Sequence, residues 1–267
     1  MLNQQRPVGE ILRHWRRHRR VSQLDLALDT KVSARHISFL ETGRSRPSRD
    51  MLLRLAEQLQ VPLRDRNTLL VAAGFAPVYN RTPLDNPAMN AARAAIDLVL
   101  NGHQPFPALA VDRYWTLIAG NQAIAGLLIG VAAHLLEAPV NVLRVSLHPE
   151  GIAPRIINLD QWREHTFSRL ERQIDSTADP ELMTLFEELR QYSGSAETDS
   201  GSDQPHDGPY GDFAIPLKLR TDQGTLSFFS TTTVFGAVND ITLDELAIES
   251  FYPADEETAS AFAISIV

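Results

Sequence analysis

The residues best equipped for chemistry are arginines, and they crowd one end of the sequence. Residues 1–75 hold 14 Arg and Lys against 7 Asp and Glu, whereas residues 76–267 hold 11 against 26. The net charge of -8 therefore conceals a basic head on an acidic body. Such a head suits a polyanion partner, while the acidic body repels that partner and keeps the chain soluble. Arg35 is the best placed of these cations. It lies two residues after Ser33, a helix-capping residue type, and so projects from the first turn of a short helix. A guanidinium held there can donate two parallel hydrogen bonds to one pair of acceptors.

Other chemistries have little to work with. The chain has no cysteine, which removes disulfides, thiolate metal sites and thiol catalysis. Its 8 histidines are scattered, with no HExxH or comparable spacing. Asp199, Asp203 and Asp207 resemble a calcium loop, but the twelfth position counted from Asp199 is Tyr210 and from Asp203 is Ala214, so the bidentate glutamate is missing. No glycine-rich phosphate loop and no GxSxG elbow occur. The expectation is a protein with no metal, no cofactor and no catalytic residues, hence not an enzyme. No cleavable leader and no apolar stretch of about 18 residues is present, which predicts a cytoplasmic protein without membrane contact.

The elements that would position the arginines are short helices. Val8, Ile11, Leu12 and Trp15 form one apolar stripe, with Arg13, Arg16, Arg17 and Arg20 on the opposite face. Ser22 with Asp25 starts a second helix, burying Leu26 and Ala27. Ser33 starts a third, which ends at Gly43, a residue that tolerates the left-handed turn. Ser48 starts a fourth, and Pro62 precedes a fifth that closes at Gly74 and Pro77. Ile37 and Leu40 read as core, and Phe39 either as a contact residue or as a cover for the bundle edge.

Pro77, Pro83 and Pro87 make residues 76–87 a stiff linker between a head at 1–75 and a body at 88–267. The body begins with a helix carrying Ala92, Ile96 and Val99. Two apolar runs, 108–111 and 114–119, follow as a hairpin, and Asn121 would cap the next helix. Two further helices group Phe167, Leu170 and Ile174, then Leu182, Leu185, Phe186 and Leu189. The Ser-, Gly-, Asp- and Pro-rich stretch 193–209 reads as a mobile loop. Alternation at Phe213, Ile215, Leu217 and Leu219, the run Thr225 to Phe235, and Leu246 to Phe251 predict three more strands. Antiparallel strands split around a helical insertion give an α+β body.

The order Ser22-Gln23 to Ala27, Val32 to Ser38 and Glu41-Thr42-Gly43-Arg44-Ser45-Arg46-Pro47-Ser48 closely resembles the phage-repressor-like (XRE) helix-turn-helix family. That resemblance covers about 65 residues and implies an all-α, five-helix, lambda-repressor-like domain whose third helix enters the major groove of double-stranded DNA. In that frame Arg35 would read guanine O6 and N7. Ala34 and Ser38 would border the same groove, able to touch a thymine methyl or to hydrogen-bond a base or phosphate. Gln23 resembles the family glutamine that meets a phosphate at a helix N-terminus, and Ser33, Arg44, Arg46 and His36 would meet the backbone near it.

In the body, His103-Gln104-Pro105-Phe106-Pro107-Ala108, Asp112-Arg113-Tyr114-Trp115, Leu147-His148-Pro149 and Glu249-Ser250-Phe251-Tyr252-Pro253 resemble the ligand-binding domain of MmyB-like transcription regulators, a PAS-like α+β module with an antiparallel sheet. The resemblance implies an apolar cavity for a small hydrophobic or lipid-like ligand. Trp115, Phe228, Phe229 and Phe251, on expected strands, are the candidates to line it, with plain core packing the competing role for each. His148 reads as a satisfied structural histidine and Trp162 as an anchor for its helix. The expected function is a homodimeric, ligand-sensing transcription regulator. A protein-interaction module in place of the ligand domain, as in an antitoxin, is the alternative. An enzyme with a regulatory head has no support in the residues.

Overall fold

Three serines frame the N-terminal helices. In the computed structural model, which describes residues 6–192, 215–222, 224–236 and 239–263, Ser22 Oγ accepts the amide of Asp25, Ser33 Oγ that of His36, and Ser48 Oγ that of Met51. Each satisfies an amide that the helix leaves without a partner, an effect of about 1 kcal/mol. They open α2 (Gln23–Thr30), α3 (Ala34–Glu41) and α4 (Arg49–Gln58), flanked by α1 (Val8–His18) and α5 (Leu63–Ala72). Ser22 also donates to the Asp25 carboxylate at 2.6 Å. Gly43 and Gly74 take positive φ at 72° and 87°, as the ends of α3 and α5 require.

The chain forms two compact units, residues 1–82 with 175–178 and 238–244, and the remainder. In the first, Leu12, Leu26, Ile37, Leu40 and Leu55 are buried with Trp15 in one cluster. Helix α1 approaches α3 so closely at Gly9 that an added Cβ would lie 2.3 Å from the carbonyl oxygen of Leu40.

The second unit is α+β. Its antiparallel five-stranded sheet has the order β2-β1-β5-β4-β3, with β1 Ala108–Val111, β2 Leu117–Gly120, β3 Leu217–Thr221, β4 Gly224–Val234 and β5 Ala247–Pro253. Strand alternation divides the faces. Ala108, Ala110 and Ile248 pack with Ile96 and Leu100 of α6 (Asn90–Gly102). Leu109, Val111, Leu217 and Leu219 point the other way. There they join side chains of α7 (Ile124–Leu127), α8 (Val142–Leu147), α9 (Leu159–Thr177) and α10 (Pro180–Gln191). Helices α11 (Ile241–Asp244) and α12 (Glu256–Ala263) complete the element order. No helix among the described residues is long and apolar enough to cross a membrane.

Four local expectations change. The hairpin strand begins at Leu117, because the Asp112 carboxylate accepts the amides of Tyr114 and Thr116 and folds 112–116 into a turn. Asn121 caps no helix. Buried, it accepts the amide of Ala108 and donates to the carbonyls of Leu100 and Phe106, tying α6 to β1. Strand β3 starts at Leu217, with Ile215 and Pro216 before it, while Phe213 and the stretch 193–209 lie outside the described residues. Residues 76–82 group with the first unit, where Asn67 Oδ1 accepts the amides of Val78 and Tyr79 and its amide donates to the Tyr79 carbonyl.

Gly9 gives a sharp test. Alanine for glycine inside a helix ordinarily stabilises by up to about 1 kcal/mol. Here the Cβ would meet the Leu40 carbonyl, so Gly9→Ala is expected to destabilise the first unit by about 1–3 kcal/mol. Hydrogen exchange of the α1 and α3 amides in the full-length protein reads the sign directly.

Candidate nucleic-acid interface and ligand cavity

The third helix is anchored from behind by a buried ion pair. Arg16 Nε donates to Glu41 Oε1 at 2.6 Å and Nη2 to Oε2 at 2.9 Å, while Nη1 donates to the Val21 carbonyl. Gln23 Nε2 adds a third hydrogen bond to Glu41, at 2.8 Å. Helical spacing assigns Arg16 to the solvent face of α1; the structure turns it inward, since its partner at the end of α3 is too distant in sequence to be read from the helix. Burial pushes the Glu41 carboxyl up, but the hydrogen bonds from Arg16 and Gln23 and the nearby cations outweigh this and hold it below the usual carboxylate range. Gln23 thus acts first as a brace. One N–H of its amide engages Glu41, and a second remains for an oxygen outside.

The other end of α3 faces outward. Arg35 is exposed, and its guanidinium lies 5.2 Å from the centre of the Phe39 ring, one turn further on. Arg44, just past the helix, lies 6.0 Å from the same ring. Phe39 therefore does more than cover the bundle edge: it gathers two cations beside the first turn of α3. Arg46 is exposed as well. His36 and Ser38 are half-buried, Ala34 packs partly against the core, and the Ser33 hydroxyl accepts the His36 amide. The geometry thus brings Arg35 and Arg44 together around Phe39, and assigns Ser33 a helix-capping contact.

The second unit contains a cavity beneath the sheet, open at one side and lined largely by apolar side chains. Leu109, Leu117, Val140, Val145 and Ile152 supply much of its apolar wall, with Trp115, Trp162 and Phe251. Of the four aromatic candidates, Trp115 and Phe251 reach the wall. Phe228 is fully buried and meets Phe251 and Phe262 edge-on as core, and Phe229 stacks on Tyr252 at 5.2 Å. Both are corrections to their expected place on the wall. Residues 228 and 229 point to opposite sides of β4: Phe228 shares its side with the cavity-lining Ser230 but is buried in the core beside Phe251, and Phe229 faces away.

Trp115 is held in an unusual backbone state, φ 65°, in the turn before β2 rather than on a strand. A bulky residue there is strained and persists when its surroundings over-determine it. Its indole N–H donates to Gln173 Oε1 at 2.8 Å, and the Arg169 guanidinium lies 4.7 Å from its ring centre. Trp162 does anchor its helix, donating to Ser146 Oγ at 2.9 Å, and it also forms cavity wall. Sequence reasoning missed His165, Arg169 and Glu249, all on the wall. Glu249 had a signal: it is an acid on the same strand face as Ala247 and Phe251.

The fold gathers one set of metal-ligand types that spacing did not suggest. His134 Nε2 lies 3.9 Å from Glu150 Oε2, and His148 offers an atom within 4.8 Å of both. The Glu150 amide, however, donates to His148 Nδ1 at 3.0 Å. A neutral ring then carries its own proton on Nε2 and presents no lone pair to an ion. Tyr192 packs edge-on to the same ring at 4.8 Å, and its hydroxyl, pushed up to about 12 by burial and by Glu188, stays protonated.

The Arg16–Glu41 pair carries its own prediction. Glu41→Ala would leave a buried cation without its partner and cost the first unit about 3–5 kcal/mol at neutral pH. Because the carboxyl of Glu41 is lowered by folding, its contribution is complete above the unfolded-state value near 4 and is lost as pH falls through the folded value. Hydrogen exchange of α1 and α3 should therefore show a wide gap between wild type and variant at neutral pH that narrows in acid.

Comparison with known families places residues 12–65 in a helix-turn-helix family and residues 92–263 in the MmyB-like transcription regulator ligand binding domain. No curated protein matches the chain. The second match spans more than half of the 267 residues and contains the cavity beneath the sheet, and the first contains α2 and α3. This chain therefore belongs to the MmyB-like transcription regulators, DNA-binding proteins that join an XRE-type helix-turn-helix to a ligand-binding domain.

Proposed function

We propose that the protein is a one-component, non-enzymatic regulator that binds DNA as a homodimer and changes its DNA affinity when a small hydrophobic molecule enters the cavity. The observation that carries the DNA half is the exposed first turn of α3, with Arg35 held against Phe39 on a helix whose far end is locked by Arg16 and Glu41. Arg35 reads a guanine in the major groove, with Ala34 and Ser38 beside it. Gln23, Ser33, His36, Arg44 and Arg46 contact the phosphate backbone and set the register. The ligand half is supported by the apolar wall of the cavity. A ligand shifts the heads only by binding one arrangement of the dimer more tightly than the other. Two heads on half-sites one helical turn apart, about 34 Å, fit a pseudo-palindromic operator.

Two experiments test these halves separately. On a set of duplexes that differ at single base pairs, Arg35→Ala should cost about 1–3 kcal/mol on the preferred sequence and flatten discrimination at one position. Arg46→Ala should weaken every duplex alike and reduce the salt dependence. Equal, sequence-independent losses for both variants contradict the assignment of Arg35. Native mass spectrometry of the full-length protein, before and after denaturation, should give a dimer with a small apolar molecule released on unfolding. A monomer, or a dimer that neither carries nor takes up any apolar molecule, contradicts the corresponding part.

A further inference from the structure

Strand β4 outruns its neighbour on one side. Strand β5 pairs with it as far as Val234, whereas β3 begins at Leu217, opposite Phe228, and the Pro216 carbonyl before it is held by Asn158 Nδ2 at 2.8 Å. Beyond Phe228 the outer edge of β4 therefore meets no strand among the described residues. Two hydrogen bonds fix which backbone groups face that edge. The Ser227 carbonyl accepts the Ala254 amide on the β5 side, and Phe251, opposite Ser230, sends its amide to Pro107 on the β1 side. Backbone groups alternate along an antiparallel strand, and residues directly opposite each other exchange both bonds or neither. Phe229, Thr231 and Thr233 thus bond β5, while Ser230, Thr232 and Val234 each turn an amide and a carbonyl to the open edge.

Such an edge pairs with any strand that meets it unless a charge, a proline or a bulge blunts it. Residues 223–239 contain no Asp, Glu, Lys, Arg or Pro. Thr231, Thr232, Thr233 and Val234 are exposed, Val234 at 62%. The charges beside them cancel: the Thr232 hydroxyl donates to Glu249 Oε1 at 2.9 Å, and Arg169 Nη1 donates to Oε2 of the same carboxylate at 2.9 Å. Residues 76–267 hold 11 Lys and Arg against 26 Asp and Glu. Two such bodies repel each other over most of their surface, and this neutral strand is where they can meet without that repulsion.

We infer that β4 is the seam of the homodimer, pairing antiparallel with β4 of a second copy about a two-fold axis at Thr232, so that two sheets join into one. This inference rests on the homodimer reading above and deepens it by naming the surface. An axis at Thr232 sets Ser230 of one copy opposite Val234 of the other and engages every outward residue of both. An axis at Thr231 would send Val234 to Phe228, whose edge Leu217 already occupies. An axis at Thr233 would set Ser230 opposite Gly236, past the end of β4. The side chains that meet across the seam are Ser, Thr and Val, types that pair well between antiparallel strands. The contact is isologous, as the symmetry of a pseudo-palindromic operator requires.

The absence of cysteine makes the register testable in the full-length protein. Residues opposite each other in a bonded antiparallel pair lie about 5.5 Å apart at Cα, within reach of a disulfide. Oxidised Thr232→Cys should therefore run as a covalent dimer, whereas Thr225→Cys, also exposed but alongside β3, should stay a single chain. Val234→Pro removes an outward amide and no bond to β5, and should weaken the dimer at least about tenfold in sedimentation, because each copy loses a hydrogen bond. Val234→Thr should leave the dimer unchanged. In wild type, hydrogen exchange of residues 229–235 should quicken when the protein is diluted to single chains. A wild-type dimer in which Thr232→Cys does not cross-link and residues 229–235 exchange no more slowly than in the single chain overturns the inference and leaves the homodimer standing. Protection of residues 229–235 that persists in the single chain means that its own chain covers the edge, which overturns the inference as well. Wild type that stays a single chain both alone and on DNA overturns the homodimer reading and this inference together.

Discussion

The buried contact between Arg16 and Glu41 is the constraint on which the DNA-binding head depends. It fastens the C-terminal end of α3 to α1, with Gln23 of α2 closing the third side. The helix can therefore leave Arg35 exposed in its first turn without losing its place, while Ala34 and Ile37 of the same turn pack toward the core. Apolar packing alone would hold α3 in the bundle, through Ile37 and Leu40. The ion pair adds direction and register, since a bidentate guanidinium–carboxylate contact tolerates one geometry where two leucines accept several. Gly9 serves the same end by letting the two backbones meet at this point.

A second arginine–glutamate pair does different work in the other unit. Around Arg16 and Glu41 the wall is closed, and the pair is part of the frame. Around Arg169 and Glu249 one side is a cavity, so the paired charges form part of its wall. The strained Trp115 belongs to this arrangement, because the indole fixes Arg169 on its ring face and is itself fixed by Gln173. Sheet alternation makes the division of labour possible. On β5, Ile248 faces α6 while Glu249 and Phe251 belong to the opposite side, with the cavity.

How much of this is legible in the sequence follows from the range of each interaction. Serine caps, left-handed glycines and helical stripes are local, so the five N-terminal helices and their boundaries can be read from Ser22, Ser33, Ser48, Gly43 and Gly74. The antiparallel α+β body is readable for the same reason, from strands of period two. Helical spacing alone misassigns Arg16, because its burial depends on Glu41, which no local pattern connects to it. Phe228 and Phe251 look alike in sequence, yet one fills core and the other faces the cavity, a distinction made by helices from elsewhere in the chain. The residue type of Trp115 argues for a strand, and the side chain of Asp112 overrides that preference by capturing two amides.

Base-edge readout of duplex DNA by α3, as proposed, can be observed without any variant. The most direct measurement is selection of random-sequence duplexes by the full-length wild-type protein, followed by interference mapping of guanine N7 on the enriched pool. Readout by Arg35 in a dimer should give an enriched inverted repeat in which methylation of a guanine at the same position of each half-site abolishes binding. Retention of all duplexes alike, with no guanine whose modification matters, would contradict it.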